Sequence, residues 1–154
     1  YRKMAEDTLT HVIAVGQLDE KPCQTETLRI HGALDRDDPA LPASDPQRMY
    51  GSDWPEVEAL AREDPSLATP LHEDLPYTGA ELAFAARREM ARTVEDALSR
   101  RTRCLLLNAQ ASIDVAPRAA AILAKELGRD AAWEREQVEV YRELASGYCI
   151  PATS

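Results

Sequence analysis

The chain has 154 residues and a mass of 17.1 kDa, enough for one hydrophobic core, and its 44% hydrophobic residues exclude a disordered chain. A formal net charge of −9 excludes a general attraction to nucleic acid or anionic lipid, because both require clustered positive charge. No segment approaches about 18 consecutive apolar residues, so the sequence predicts no membrane span and a cytoplasmic location.

The predicted fold class is all-α: a helical bundle with a proline-rich arm of short helices and at most one short isolated strand. Aromatic residues are only 5% of the chain, whereas alanine and leucine recur, a composition that suits packed helices. The first predicted helix spans residues 2–15 and ends at Gly16. Its apolar stripe consists of Met4, Leu9, Val12, Ile13 and Val15. Residues 26–31 alternate polar and apolar side chains and are the candidate strand, with a partner outside this chain.

Residues 33–78 form the predicted proline-rich arm. Seven of the ten prolines lie there, which excludes long helices. Residues 44–47 and 53–56 each place a capping residue three positions before Gln or Glu, with proline in the first turn, and predict two short helices. Trp54 is expected to anchor the arm in the core, because a large aromatic side chain on a short helix is more often buried than a ligand platform.

Residues 78–148 form the predicted body of the domain. A capping box of Thr78 and Glu81 opens one long or slightly broken helix. Its apolar face repeats every four residues, at Leu82, Ala86, Met90, Val94 and Leu98.

The rest of the body divides into two predicted helices. Asn108 caps the first, which Pro117 should break or kink and Gly128 should end. Asp130 caps the second, which stops near Gly147. The side chains expected to point inward from the last helix are Trp133, Val140, Tyr141, Leu144 and Ala145.

Residues 81–103 are locally basic, with six arginines against four acidic residues. One interpretation is pairing along the helix, between Glu89 and Arg92, Arg92 and Asp96, and Asp96 and Arg100. The other is a docking face, because arginine suits bidentate carboxylate pairs across an interface. The unpaired members would then come from Arg87, Arg88, Arg92, Arg100, Arg101 and Arg103.

Sequence motifs for catalysis are absent. The chain has no Gly-x-Gly-x-x-Gly turn, phosphate loop, Gly-x-Ser-x-Gly elbow or His-Glu-x-x-His helix. The three cysteines and three histidines are scattered, so reduced structural thiols and structural or surface histidines are expected. A cation site at residues 35–38 is disfavoured, because the glycine and distal glutamate of a calcium loop are missing. We therefore assign no catalytic, cofactor-binding or metal-binding residue.

Five segments, in this order and spacing, carry a resemblance to a known family. They are Tyr1-Arg2-Lys3-Met4-Ala5-Glu6-Asp7, Arg48-Met49-Tyr50-Gly51-Ser52, Leu75-Pro76-Tyr77, Glu89-Met90-Ala91-Arg92-Thr93-Val94-Glu95-Asp96 and Arg100-Arg101-Thr102-Arg103. Together they resemble the C-terminal part of bacterial FAD-dependent glycerol-3-phosphate dehydrogenases and the related α-glycerophosphate oxidases. Residues 89–103 are the most specific part of the resemblance.

The resemblance implies a parent enzyme that oxidises glycerol-3-phosphate to dihydroxyacetone phosphate and passes electrons from FAD to quinone or oxygen. Flavin and substrate are held mainly by the N-terminal domains of that family. Its last flavin-contacting segment, a Gly-Gly-Lys-x-Thr-Thr run, would lie immediately before Tyr1. The implied domains are residues 1–32, the terminal helix and crossing segment of a missing flavin domain, and residues 33–154, a helical C-terminal cap. FAD is therefore expected in the parent and no cofactor in this chain.

The expected partner is the upstream flavin domain of the same polypeptide, with a homodimer as a further candidate and membrane contact only through the parent enzyme. The stripe of Met4, Leu9, Val12 and Ile13 should be covered by folding back on the bundle or by a second copy, because exposing each side chain forfeits about 1.5–3 kcal/mol. Two other classes stay open: a stand-alone helical interaction module, and a small enzyme whose site no motif reveals.

Overall fold

The computed structural model describes residues 1–34 and 49–149. The α-helices bounded within these ranges are α1 (Arg2–Gly16), α2 (Trp54–Glu63), α3 (Gly79–Arg88), α4 (Cys104–Leu107), α5 (Ala109–Leu127) and α6 (Ala131–Ser146). Two 3₁₀ turns, Gly51–Asp53 and Pro65–Ala68, and a π-helical segment, Asp96–Arg101, lie between them. The predicted all-α class is confirmed. Among the described residues, no helix combines the length and apolar character that a membrane span requires.

The strands lie elsewhere in the chain than predicted. Residues 26–31 are not a strand: residues 25–27 form a turn, and the Leu28 amide donates to the Gln24 carbonyl at 3.1 Å. Instead, β1 (Pro70–His72) and β2 (Leu75–Thr78) form an antiparallel hairpin, with His72 opposite Leu75. The prolines of the arm concealed this hairpin, since proline suits the edge or first residue of a strand but weakens a strand pattern.

The body of the domain is built around α5, which packs against α6, α3 and α4. Its core includes the fully buried Leu82, Leu98, Leu123 and Tyr141. The predicted helix starts are confirmed. The capping box of Thr78 and Glu81 opens α3, the Asn108 side chain accepts from the Ala111 amide at 3.0 Å, and the Asp130 side chain accepts from the Trp133 amide at 2.9 Å.

Three details of the predicted body are wrong. Met90 is 73% exposed and interrupts the fourfold stripe, because α3 ends at Arg88 and the chain turns there. Val140 is exposed, and Val138 packs against the core in its place. Pro117 does not break its helix, since α5 continues from Ala109 to Leu127, and the alternative of a kink there stays a prediction. It lies on the exposed face, where the lost hydrogen bond is tolerated because the buried face holds the helix in place.

The arm joins the body through a second core cluster, which includes Tyr50, Val57, Leu60 and Phe84. Trp54 packs against this cluster, as predicted. Polar contacts also join the arm to α5. The Arg118 guanidinium donates to the carbonyls of Pro70 and Ser66 at 2.6 and 3.1 Å.

The two short helices predicted in the arm have different outcomes. The second begins at Trp54 with Pro55 in its first turn, but the Asp53 side chain does not cap it. Asp53 binds His31 instead. The first, at residues 44–47, lies outside the described residues, as does the disfavoured cation site at residues 35–38.

Candidate docking surface

Residues 1–34 form a segment without a single buried residue. Of the fourteen large hydrophobic side chains exposed in the described ranges, eight lie in this segment, which is a quarter of the described residues. Single exposed apolar residues are ordinary, but a concentration of this kind marks an interaction surface. The segment is therefore the clearest candidate for contact with another protein surface.

The apolar stripe of α1 is part of this segment and remains uncovered. Met4, Leu9 and Val12 are 74%, 58% and 49% exposed, and Ile13 is half-buried. The expectation that the stripe folds back on the bundle is therefore wrong. The bundle buries its main apolar faces in two core clusters, and neither cluster includes a side chain of α1. Within the described residues, the stripe therefore stays without a covering surface.

Residues 1–34 meet the body at a crossing of two glycines. Gly32 and Gly51 both have left-handed backbones, with φ of 72° and 51°. A Cβ atom on Gly51 would lie 2.0 Å from the Gly32 carbonyl oxygen, and one on Gly32 would lie 3.0 Å from the Tyr50 carbonyl oxygen. Only glycine permits both this conformation and this approach. The crossing was not predicted, although Gly51 lies in one of the five segments that carried the resemblance.

A polar contact between two side chains accompanies the crossing. His31 Nδ1 and Asp53 Oδ2 are 3.1 Å apart, and the His31 side chain is largely exposed. The half-buried Glu89 lies near this pair. Burial raises the pKa of Glu89, with Arg101 acting to lower it and Asp53 to raise it. The crossing therefore lies beside the turn that follows α3.

That turn is tied to the segment that precedes α4. The Arg101 guanidinium Nε donates to the Glu89 carbonyl at 2.9 Å, and the Ala91 amide donates to the Ala85 carbonyl at 3.0 Å. Met90, between these contacts, has a left-handed backbone with φ of 59°. Arg103 has the same conformation with φ of 58°. Left-handed backbones are uncommon for such side chains, and neither residue could be predicted to adopt one from periodicity.

The six arginines of residues 81–103 divide into two groups. Four bind acceptors within the chain: Arg87 binds Glu126, Arg88 binds Glu56, Arg100 binds Glu95 and Asp96, and Arg101 binds the Glu89 carbonyl. Arg92 and Arg103 are exposed, and no side-chain partner for them occurs in the described ranges. Of the three helical pairs predicted, the structure has the one between Asp96 and Arg100. Asp96 Oδ2 accepts from the backbone amide of Arg92 at 3.0 Å, not from its guanidinium.

A buried carboxylate lies in the first turn of α3. Glu81 is 1% exposed, and its Oε2 accepts from the Thr78 amide at 2.7 Å and the Thr78 hydroxyl at 3.2 Å. Its Oε1 is buried and accepts no hydrogen bond within 3.5 Å from the described residues, although the Tyr50 hydroxyl is near enough to the carboxylate to affect its pKa. Burial raises the pKa of Glu81, opposed by the Thr78 hydrogen bonds and by the Tyr50 hydroxyl. Burial likewise raises the pKa of Tyr50. This carboxylate opens α3 and joins the helix to the arm, a structural task.

The described residues offer little support for a metal site, a reactive thiol or a catalytic pocket. No group of three His, Cys, Asp or Glu residues that could hold a metal ion occurs there. The cysteines are free thiols, as expected, and burial raises the pKa of Cys104 to about 11. The expected packing as small hydrophobic side chains holds for Cys104, but it is wrong for Cys23, which is exposed. An open hollow of about 500 Å³ is lined by Pro117 and side chains of α6, where Arg135 and Arg142 alternate with Glu134 and Glu139. Solvated surface charges of this kind do not make a reactive site.

The comparisons with known proteins identify the family. The model of the C-terminal domain of alpha-glycerophosphate oxidase matches residues 23–134. The human mitochondrial glycerol-3-phosphate dehydrogenase is 31% identical over 160 residues, covering 94% of this chain and 22% of that protein. The corresponding protein of Mesocricetus auratus is 33% identical over 164 residues, covering 96% and 22%. Glycerol-3-phosphate dehydrogenase 2 of Mycobacterium bovis is 37% identical over 97 residues, covering 63% and 16%.

The chain spans about a fifth of the length of the curated relatives it matches. No solved structure is significantly similar to it. The resemblance stated from the five segments is confirmed by these matches. The chain belongs to the family of the C-terminal domain of alpha-glycerophosphate oxidase and is homologous to the C-terminal region of glycerol-3-phosphate dehydrogenases.

Proposed function

We propose that this chain is the helical C-terminal domain of an FAD-dependent glycerol-3-phosphate dehydrogenase, and that its own role is structural docking without catalysis. The whole enzyme oxidises glycerol-3-phosphate to dihydroxyacetone phosphate, and an upstream domain holds the FAD. Residues 1–32 complete the flavin domain, and residues 33–154 form the cap. The enzyme is cytoplasmic, and any membrane contact is made by the whole enzyme rather than by this domain.

The observation that carries this proposal is the uncovered segment of residues 1–34. A helix with an apolar stripe but no buried residue gains little stability within this chain, since most helical stability in proteins comes from packing. Burying Met4, Leu9 and Val12 against another surface would recover about 1.5–3 kcal/mol for each side chain. About four-fifths of the human relative lies outside the match, and that part is the natural source of the missing surface.

The proposed domain boundary at residue 32 is supported by the position of the glycine crossing and of the two core clusters. The glycine crossing lies at Gly32 and Gly51, and the buried cores of arm and body are formed by residues from Tyr50 onward. Among the described residues, the segment 1–32 therefore shares a backbone contact with the cap but no core with it. A segment of this kind is suited to belong to one domain while it is joined to the next.

The experiment compares this chain with the longer polypeptide encoded by the same reading frame. We expect the purified 154-residue chain to be colourless and to reduce no artificial electron acceptor with glycerol-3-phosphate. The longer polypeptide should contain a flavin-binding Gly-x-Gly-x-x-Gly segment, purify with flavin and oxidise glycerol-3-phosphate. A stoichiometric flavin band in the 154-residue chain would contradict the proposal. A reading frame that begins near Tyr1 would instead indicate a stand-alone interaction module.

A further inference from the structure

Resting on the proposed function, we propose that Met90, Arg92 and Arg103 form a docking surface for an apolar, carboxylate-bearing patch of the flavin-binding domain. We call these three residues the Met90 surface. They lie on the turn after α3 and the turn before α4, which meet where Arg101 donates to the Glu89 carbonyl at 2.9 Å. This inference adds a second contact, on the body of the domain, to the one proposed for residues 1–34.

The backbone conformations of Met90 and Arg103 support this proposal. Met90 and Arg103 both hold left-handed backbones, a conformation that costs a non-glycine residue about 1–2 kcal/mol and that Asn or Gly would adopt more readily. The turn at Met90 is held by the Ala91 amide, which donates to the Ala85 carbonyl at 3.0 Å, and by Arg101. These bonds fix the backbone but leave the Met90 side chain 73% exposed, so an apolar side chain is presented to solvent. Strained residues of this kind cluster at binding sites, and a contact outside the chain would bury the side chain.

The charges of Arg92 and Arg103 also support it. Four of the six arginines in residues 81–103 bind acceptors within the chain, and Arg92 and Arg103 do not in the described ranges. A guanidinium offers five donors in a planar fork that matches a carboxylate. Methionine and arginine are also enriched in the cores of protein interfaces. The chemistry that fits this surface is an apolar patch that contains at least one carboxylate.

The frame that presents these side chains is rigid. Ala91 and Val94 are fully buried beside the exposed residues, and the Val94 amide donates to the Gln137 side chain at 3.1 Å. On the other turn, the buried Thr102 hydroxyl donates to the Ala97 carbonyl at 2.8 Å. A preorganised backbone loses little conformational entropy on binding, which favours affinity. The Met90 surface is therefore built to receive a partner without rearrangement.

The occupant is the flavin-binding domain and not a second copy of this chain. A two-fold pair of copies joined through this surface would place the unpaired arginines of one copy against those of the other, because such an interface uses the same patch twice. Each copy also carries a net charge of −9, which opposes self-association. The relatives, in contrast, carry about four-fifths of their length outside the matched region, as coverage of 22% implies.

The test measures binding of the 154-residue chain to the flavin-binding polypeptide encoded upstream in the same reading frame, by isothermal titration calorimetry at low and high salt. Two variants perturb the surface: Met90→Asp, and the pair Arg92→Glu with Arg103→Glu. Aspartate tolerates a left-handed backbone, so Met90→Asp should not disturb folding. The matched controls are Val140→Asp, at a position 52% exposed on α6, and the pair Arg129→Glu with Arg142→Glu, also at exposed positions.

We expect each surface variant to weaken binding at least about tenfold and the controls to change it less than about twofold, as is typical of central and peripheral contacts. The arginine pair should also reduce the salt dependence of binding. Unchanged affinity in both surface variants would overturn this inference and leave the proposed function intact. Absence of binding by the unsubstituted chain to an upstream polypeptide that retains its flavin absorbance would overturn both. Self-association that only the surface variants abolish would assign the surface to a second copy and overturn the inference.

Discussion

Substitution of Gly51 by alanine should open the contact between residues 1–34 and the body of the domain. The new Cβ atom would lie 2.0 Å from the Gly32 carbonyl oxygen and 2.9 Å from the Gly32 carbonyl carbon, both of which are backbone atoms. No side-chain rotation relieves this overlap, so the two backbones must separate by at least about 1 Å. The left-handed backbone, with φ near 51°, would lower the stability by about a further 1–2 kcal/mol, because alanine has a Cβ atom that disfavours this conformation.

Gly128→Ala is the matched control for this prediction. Gly128 also has a left-handed backbone, with φ of 64°, but nothing lies within 4 Å of the Cβ atom that it would gain. The control therefore carries the conformational cost without the overlap. In urea denaturation we expect Gly51→Ala to lower the free energy of unfolding by about 1–3 kcal/mol more than Gly128→Ala, the range typical of overpacking.

Amide hydrogen exchange locates the effect of the same two variants. The Ala33 amide donates to the Ile30 carbonyl at 3.1 Å next to the crossing, so it should exchange faster in Gly51→Ala and be unchanged in Gly128→Ala. Equal unfolding free energies for the two variants, with equal exchange at Ala33, would refute the reasoning. The crossing would then not be a close backbone contact in solution.

Two further predictions concern charged side chains. Arg87→Ala should lower the free energy of unfolding by about 1–3 kcal/mol in urea denaturation, because it leaves the 8% exposed Glu126 carboxylate unpaired. Arg88→Ala, whose partner Glu56 is 52% exposed, should change it by less than about 1 kcal/mol, and equal effects would contradict this. Burial raises the folded-state pKa of Glu81 above 4.5, so its contribution to stability is present below pH 4.5 and is lost as pH rises through the folded-state pKa. The unfolding free energy of Glu81→Gln, relative to that of the unsubstituted chain, should therefore increase across that interval. Urea denaturation at a series of pH values measures this difference. A difference that does not change with pH would show that burial does not raise the pKa of Glu81.

The helices could be predicted from the sequence because their signals are local. Asn108 and Asp130 cap the helices that follow them, and the stripe of α5 continues past Pro117. The end of α3 could not be predicted, because Arg88 and Glu89 carry no stop signal and Met90 suits an apolar stripe. There the hydrogen bond from the Ala91 amide to the Ala85 carbonyl and the longer-range bond from Arg101 to the Glu89 carbonyl override the apolar pattern.

The candidate surface could be predicted only in part, since its contacts join residues distant in sequence. The arginine content of residues 81–103 is visible in the sequence, but the division into paired and unpaired members is not. Arg87 binds Glu126 across 39 positions, and Arg88 binds Glu56 across 32. The glycine crossing likewise joins two turns that no periodicity connects. The segments that carry the family resemblance include both Gly51 and the turn at Met90, but their contacts are visible only in the structure.

The most direct test of the account is amide hydrogen exchange of α1 in two settings: the 154-residue chain alone, and the longer polypeptide with its flavin domain. Isolated helices of about 12–15 residues are only marginally stable in water, and α1 has 15 residues and no buried side chain. We expect its amides to exchange rapidly in the chain alone and to be strongly protected in the longer polypeptide, where the stripe of Met4, Leu9 and Val12 is covered. Equally rapid exchange in both proteins would contradict the claim that residues 1–34 dock against the rest of the enzyme.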